Sequence, residues 1–187
     1  MSKIGFFGGS FNPPTLAHFE IVKNAMSEFN LDKVVIVPMG DKYQKKDLIS
    51  FEHRFNMLEK MFQSEDRVEI SRMQANQEKI SYAVDSFKMI DEKYQHDERF
   101  FIMGLDNFSQ MKTWKNGKEL ILNRKFIVFE RKNYSKENIN SNNVRFIHAN
   151  NNTSSSLVRQ RIKVKEQVDN LVLPEVASYI HQEGLYQ

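Results

Sequence analysis

The chain has 187 residues, 40% of them hydrophobic, which is enough to bury one core and is typical of ordinary globular proteins. Lysine and arginine number 27 against 24 aspartate and glutamate residues, so the net charge is too small to hold the chain on nucleic acid or on an anionic membrane. The absence of cysteine excludes disulfides, thiolate metal sites and a cysteine nucleophile. We therefore predict one domain over residues 1–187 that works on small molecules and binds neither nucleic acid nor membrane.

The amino-terminal residues 1–11 predict a strand that leads into a glycine turn. Their apolar run is interrupted at Gly5, Gly8 and Gly9, so it lacks the apolar core of a signal peptide. Nowhere do about 18 apolar residues follow one another, as a transmembrane helix requires. These features predict a cytoplasmic protein. The sequence leaves the oligomeric state open, a homo-oligomer included.

Short apolar runs alternate with segments of helical periodicity, which predicts an α/β fold. We expect a Rossmann-like, doubly wound, mainly parallel sheet with helices on both faces and a small carboxyl-terminal helical part. The predicted strands cover residues 3–7, 33–37, 68–70, 100–103, 125–129 and 144–148. The predicted helices cover residues 16–29, 51–62, about 82–94 and about 155–165, and a last one begins at Pro174. Ligands of such sheets bind beyond the carboxyl ends of the strands.

The first motif, residues 8–18, lies between the first strand and the first helix. Gly8 and Gly9 let a ligand approach the backbone, and a helix start near Thr15 offers free amides to a phosphate. Thr15 and His18 share one face if the helix has begun at Thr15, and His18 donates to phosphate oxygens. The motif predicts a phosphate cradle. A tight turn with His18 as a surface or packing residue is the alternative.

The second motif is the serine cluster Ser154, Ser155 and Ser156, which leads into a basic helix. Serine at a helix start satisfies some amides and leaves others pointing at an anion. Arg159 lies about one turn further and can reach a terminal phosphate with its fork of donors. The alternative is a capped helix with no ligand.

The third motif is a buried strand that ends at Gly104 and is followed by Asp106. Glycine lets an adenosine lie on the backbone, and Asp106 can accept from ribose hydroxyls or instead cap the next helix. Trp114 has polar neighbours, which favours stacking on a heteroaromatic base over burial under a loop. Lys45 and Lys46 form a basic loop after the second strand, which could equally be solvated surface.

His53 and Arg54 open the second predicted helix, where each could face solvent or form a salt bridge. His96 and His148 have no partners at metal-ligand spacing, and no metal site is predicted.

Together these motifs resemble those of the cytidylyltransferase-like nucleotidyltransferases, and most closely the bacterial nicotinate-nucleotide adenylyltransferases. That family's Gly-Gly-Ser/Thr-Phe-Asp-Pro loop with its following His is similar to residues 8–18, and its Ser-Ser-Thr-x-x-Arg signature to residues 154–159. Residues 81–86, residues 103–106 with Trp114, and the ending 173–186 point within the superfamily to the same enzymes. The resemblance covers nearly the whole chain.

Four features depart from the family pattern. Asn12 replaces the usual Asp, Ala17 a usual Gly and Ala83 the usual Thr of the pyridine-site segment, and residues 40–46 lack the expected proline-spaced lysine. The last two concern the pyridine substrate more than ATP.

The resemblance implies transfer of AMP from ATP to nicotinate mononucleotide, giving nicotinate adenine dinucleotide and pyrophosphate in NAD biosynthesis. It implies direct attack of the mononucleotide phosphate on the α-phosphorus of ATP, without a covalent enzyme intermediate. It also implies that Mg²⁺ accompanies ATP and that no cofactor is tightly bound. The implied catalytic residues are His18, Thr15 and Arg159. The implied ATP-binding residues are Gly8, Gly9, Ser10, Phe11, Thr15, His18, Gly104, Asp106, Ser154, Ser155 and Arg159. The implied mononucleotide-binding residues are Asn12, Lys45, Lys46, Tyr82, Ala83 and Trp114.

Three alternatives stay open. Nicotinamide mononucleotide could replace the acid as acceptor. The chain could instead be a pantetheine-phosphate adenylyltransferase, whose serine motif is related. It could also be a non-catalytic nucleotide-binding or RNA-binding protein on the same scaffold, although the charge and the lack of clustered aromatic and basic strands disfavour RNA.

Overall fold

The computed structural model describes residues 1–42, 47–75, 83–114, 116–130 and 142–187. Within these ranges six strands form one parallel sheet in the order β3-β2-β1-β4-β5-β6. The strands are β1 (Lys3–Gly9), β2 (Lys33–Pro38), β3 (Val68–Ile70), β4 (Glu98–Gly104), β5 (Lys125–Glu130) and β6 (Val144–His148). All six predicted strands are confirmed. The strand order reverses between β1 and β4, where a crevice for ligands opens in folds of this type.

The described helices are α1 (Leu16–Glu28), α2 (Phe51–Met61), α3 (Ala83–Lys93), α4 (Leu105–Gln110), α5 (Gly117–Asn123), α6 (Ser155–Lys163) and α7 (Pro174–Gln182), with a 3₁₀ turn at Met111–Thr113. The first five connect strands, and α6 and α7 follow β6. The five helices expected from periodicity are present with ends shifted by at most two residues. The sequence pattern did not predict α5, because seven residues give only two turns of hydrophobic periodicity.

Side chains from alternate positions of β1 enter two separate cores. Phe7 joins α1, α2, α6 and α7 on one face, while Ile4 and Phe6 join α3, α4 and α5 on the other. This alternation follows from the period of two along a strand. The predicted doubly wound α/β architecture with helices on both faces is confirmed. In the described parts of the chain, no helix is long and apolar enough to cross a membrane.

The two glycines of the first motif are strand residues, and the prediction of a turn at this point is wrong. Gly8 and Gly9 pair with Val37 and Pro38 of β2, so the ladder continues to the end of β1. The chain turns later, at Phe11, whose φ of 47° lies in the left-handed region. A Cβ at Gly9 would lie 2.9 Å from the Phe11 ring, whereas nothing lies within 4 Å of one at Gly8. The side of β1 next to Gly8 is therefore open.

Candidate active site

Thr15 and His18 form one hydrogen-bonded unit at the start of α1. Thr15 is the N-cap, and its backbone N–H donates to Nδ1 of His18 over 3.0 Å, with its hydroxyl 2.9 Å from the same nitrogen. Because Nδ1 accepts from the backbone, these partners assign the proton of a neutral imidazole to Nε2. The imidazole packs against the rings of Phe7 and Phe11 at centroid distances of 5.9 and 5.1 Å. The cap and the packing together fix the direction in which Nε2–H donates.

The first amide of α1 is used inside the protein. Leu16 N–H donates to the carbonyl oxygen of Leu171 over 3.0 Å. The expectation that the first amides of this helix are free for a phosphate is therefore wrong at Leu16, because the segment before α7 provides an acceptor.

The second motif lies directly against the first. The hydroxyl of Ser155 donates to the carbonyl oxygen of Pro13 over 2.7 Å, and Nη1 of Arg159 donates to that of Asn12 over 2.8 Å. These contacts join residues 142 and 147 positions apart. The fold thus brings the phosphate-loop sequence and the serine-arginine sequence to one place.

Ser154 begins α6 as predicted for a capping serine. It is the N-cap, and its hydroxyl accepts from Leu157 N–H over 3.2 Å. The amides of a first turn lack partners within their own helix and carry partial positive charge. The start of α6 therefore presents an electropositive end next to residues 12 and 13.

Asn12 connects several parts of the site. Its side chain is 1% exposed, and its Nδ2 donates to the carbonyl oxygen of Asp47 over 2.7 Å. Its Oδ1 accepts from the Tyr186 hydroxyl over 2.9 Å and from Ile49 N–H over 3.4 Å. That Asn12 contacts a mononucleotide stays a prediction, since in this structure its side-chain amide is engaged within the protein.

Arg54 is a residue whose place the sequence did not reveal. Its side chain is fully buried, and its guanidinium donates to Asp41 Oδ1 at 2.9 Å and to the carbonyl oxygens of Ile49 at 2.9 Å and Ser10 at 3.1 Å. Burial lowers the pKa of Arg54 while Asp41 raises it, and the group stays protonated because an arginine pKa lies far above neutrality. Of the two interpretations left open, salt bridging is correct for Arg54.

Gly104 and Asp106 lie at the carboxyl end of β4, beside β1. Gly104 is the N-cap of α4, so the alternative that Asp106 caps this helix is wrong. Asp106 lies in the first turn instead, and its carboxylate occupies the space that a Cβ on Gly104 would need, together with the Phe129 ring. A carboxylate therefore lies at the switch point of the sheet, at the edge expected to receive an adenosine.

Trp114 lies on the other face of the sheet from α1. It is partly buried and packs against the core formed with α3, α4 and α5. Part of the ring surface is thus used in packing and part is accessible, so stacking on a base stays a prediction. Lys45, Lys46 and Tyr82 lie outside the described residues, and Ala83 is the first residue of α3.

Sequence comparisons place these features among known proteins. The model of the cytidylyltransferase-like family matches residues 6–161. A probable nicotinate-nucleotide adenylyltransferase of Fusobacterium nucleatum is 35% identical over 189 residues, which cover 97% of this chain and 98% of that protein. One of Acholeplasma laidlawii is 37% identical over 190 residues, which cover 97% of this chain and 96% of that protein.

The fold is also found among solved structures. It is similar to Plasmodium falciparum nicotinic acid mononucleotide adenylyltransferase complexed with NaAD, with a TM-score of 0.83 and 22% identity, covering 100% of this chain and 98% of that chain. The sequence matches extend over nearly the full chain, and the two phosphate-binding motifs meet at the switch point of the sheet. This chain is therefore a member of the cytidylyltransferase-like family and, within it, of the nicotinate-nucleotide adenylyltransferases.

Proposed function

We propose that this chain transfers the AMP part of ATP to nicotinate mononucleotide, releasing pyrophosphate and forming nicotinate adenine dinucleotide. A phosphate oxygen of the mononucleotide attacks the α-phosphorus of ATP, and the bond to the oxygen of the β-phosphate breaks. The observation that carries the proposal is the contact of Ser155 and Arg159 with residues 12 and 13, because it builds one donor-rich site from the two phosphate-binding motifs.

His18 and Thr15 act on the α- and β-phosphates in this proposal. Thr15 holds Nδ1 of His18 as an acceptor, so Nε2–H donates to the phosphate oxygens on which charge builds. No covalent step is required of the protein, since reactions of this kind depend on positioning and charge stabilisation.

Arg159 and the first turn of α6 bind the leaving pyrophosphate. The guanidinium is anchored to the Asn12 carbonyl by Nη1 and lies 3.4 Å from the Ser156 hydroxyl by Nη2, which fixes its plane beside the loop. A guanidinium has five N–H donors, so these two contacts leave donors for phosphate. Ser154 and Ser155 shape the same anion-binding end of α6.

The adenosine and the acceptor lie on either side of this phosphate site. Gly8 lies on the open side of β1, while Gly104 and Asp106 seat the adenosine and its ribose at the neighbouring strand end in this proposal. Trp114 stacks on the pyridine ring. Asn12, Ala83, Tyr82 and one of Lys45 and Lys46 complete the mononucleotide site.

Mg²⁺ enters with ATP in this proposal and neutralises phosphate charge when bound. The side chains around the phosphate site are mainly hydroxyl, imidazole and guanidinium donors, which suit phosphate oxygens rather than a hard cation. The described residues contain no group of three His, Asp or Glu side chains able to hold a metal ion.

A pyrophosphate-release assay tests the proposal with ATP, Mg²⁺ and three acceptors in parallel: nicotinate mononucleotide, nicotinamide mononucleotide and phosphopantetheine. We expect the highest kcat/KM with nicotinate mononucleotide and a dinucleotide product identified by its mass. A higher value with either other acceptor would reassign the substrate. No release with any of them would favour a nucleotide-binding protein without transferase activity.

A further inference from the structure

Tyr186, two residues beyond a sharp bend after α7, reaches back to the phosphate loop. Its hydroxyl donates to Oδ1 of Asn12 over 2.9 Å across 174 positions of the chain. Gly184 and Tyr186 both have left-handed backbone conformations, with φ of 59° and 66°. Such a conformation is unfavourable for a bulky residue such as tyrosine and persists only where surrounding contacts hold it.

Two backbone groups decide which way the Asn12 amide faces. The Ile49 N–H can only donate and the carbonyl oxygen of Asp47 can only accept, so Oδ1 faces Ile49 and Nδ2 faces Asp47. The hydroxyl of Tyr186 donates to the same Oδ1 and holds the amide in this orientation. The usual aspartate of the family could accept the bonds from Ile49 and Tyr186 but could not donate the one to Asp47. In this chain the link from Tyr186 through Asn12 to residue 47 therefore depends on the amide.

Asn12 joins Arg159, which binds pyrophosphate in the proposed function, to the segment that leads into α2. Its carbonyl oxygen anchors Arg159, and its side chain anchors the segment 47–49 that leads into α2. Tyr186 lies in the electrostatic field of both Arg54 and Arg159, although burial outweighs them and raises its pKa. A neutral hydroxyl is thus maintained as a donor at the junction.

We infer that Tyr186 is a positioning residue for adenylyl transfer: its hydroxyl holds the Asn12 amide in place and thereby stabilises the geometry of the phosphate loop and of the segment entering α2. This inference rests on the proposed function. In this inference Tyr186 acts on the reaction through Asn12.

The test compares Tyr186→Phe with Tyr179→Phe in the full chain. Tyr179 is a matched control, because its hydroxyl also forms hydrogen bonds within the protein, to His53 at 3.0 Å and to Asn56 at 3.1 Å, but reaches only α2. Loss of one such hydrogen bond predicts that Tyr186→Phe lowers kcat/KM by about 5- to 10-fold, mainly in kcat, while Tyr179→Phe stays within about twofold of wild type.

Two further readouts separate positioning from general stabilisation. In Asn12→Ala and Asn12→Ala/Tyr186→Phe, kcat/KM should be nearly equal, because the hydroxyl has no effect without the amide it holds. Hydrogen exchange of the peptide containing the Ile49 amide should be faster in Tyr186→Phe than in Tyr179→Phe or wild type, since that amide donates to Asn12.

Multiplicative losses in the double variant, unchanged exchange, or faster exchange with unchanged kcat/KM would each overturn the inference. The exchange measurement needs no substrate. If the wild-type chain released no pyrophosphate, the proposed function would fail on its own, and exchange would still decide whether Tyr186 holds Asn12.

Discussion

His18→Asn separates two roles of this imidazole, one observed and one proposed. Nδ1 accepts from Thr15 N–H at 3.0 Å in the structure, and Nε2–H donates to phosphate in the proposed reaction. The oxygen of an asparagine lies as many bonds from Cβ as Nδ1 does, so it can keep the cap, but nothing replaces Nε2–H. The His18→Ala variant loses both.

Both variants should lose turnover by about 100- to 1000-fold, equivalent to about 2.7–4 kcal/mol, as expected when one donor is removed from a preorganised site. They should differ in stability. His18→Ala leaves the Thr15 amide without its acceptor, and loss of a capping interaction costs about 1 kcal/mol. For a chain of this length that corresponds to a decrease in Tm of about 2–4 °C, which His18→Asn should largely avoid.

The assay is pyrophosphate release under saturating ATP and nicotinate mononucleotide, with thermal unfolding followed by circular dichroism. Turnover of His18→Asn within tenfold of wild type would show that Nε2–H is not the phosphate donor. Equal Tm values for the two variants would instead refute the capping role of Nδ1.

Other consequences of the geometry can be measured in the same way. Arg159→Lys keeps the charge but loses the forked guanidinium that contacts the Asn12 carbonyl. Because lysine does not replace arginine at such sites, kcat/KM should fall by about 10- to 100-fold. A loss below threefold would contradict the role of Arg159 in binding pyrophosphate. Arg54→Met should lower the free energy of unfolding in urea by about 3 kcal/mol, because buried carbonyl oxygens lose their donor. Arg72→Met breaks an exposed ion pair and should hardly change the urea midpoint. Equal shifts in the two variants would refute the structural role of Arg54. Burial raises the pKa of Tyr186, so its hydroxyl ionises in the unfolded chain before it does in the folded one, and stability is lost as pH rises above about 10. The decrease in urea midpoint between pH 8 and 10.5 should therefore be smaller in Tyr186→Phe. Identical decreases would show that this hydroxyl is not buried in solution.

The sheet and most of its helices could be predicted because their signals are local. Residues 34–37 form an unbroken apolar run typical of a strand covered on both faces, and the spacing of Phe51, Phe55 and Leu58 is that of one helix face. The serine cluster likewise begins a helix at the predicted place, because a capping hydroxyl bonds within one turn.

The contacts that join the site could not be predicted, because their partners are distant in the sequence. The sequence left open whether Arg54 faces solvent or forms a salt bridge, and it did not identify the acceptors, which are two loop carbonyls and Asp41. Asn12 looks like a simple departure from the family pattern, but its side-chain oxygen accepts a hydrogen bond from a tyrosine 174 positions away. The polar neighbours of Trp114 concealed its partial burial, since a large ring can pack while adjacent side chains remain solvated.

The separation of these contacts also determines when the site can exist during folding. Residues 8–14 leave the ribosome early, but their partners at 155, 159 and 186 follow 142 to 174 positions later. Contacts that close such long loops are entropically costly and form late. A nascent chain that already contains β1, β2 and α1 therefore has the complete glycine loop sequence but no anchored phosphate site, and competence to bind ATP should arise in one late step rather than grow with chain length.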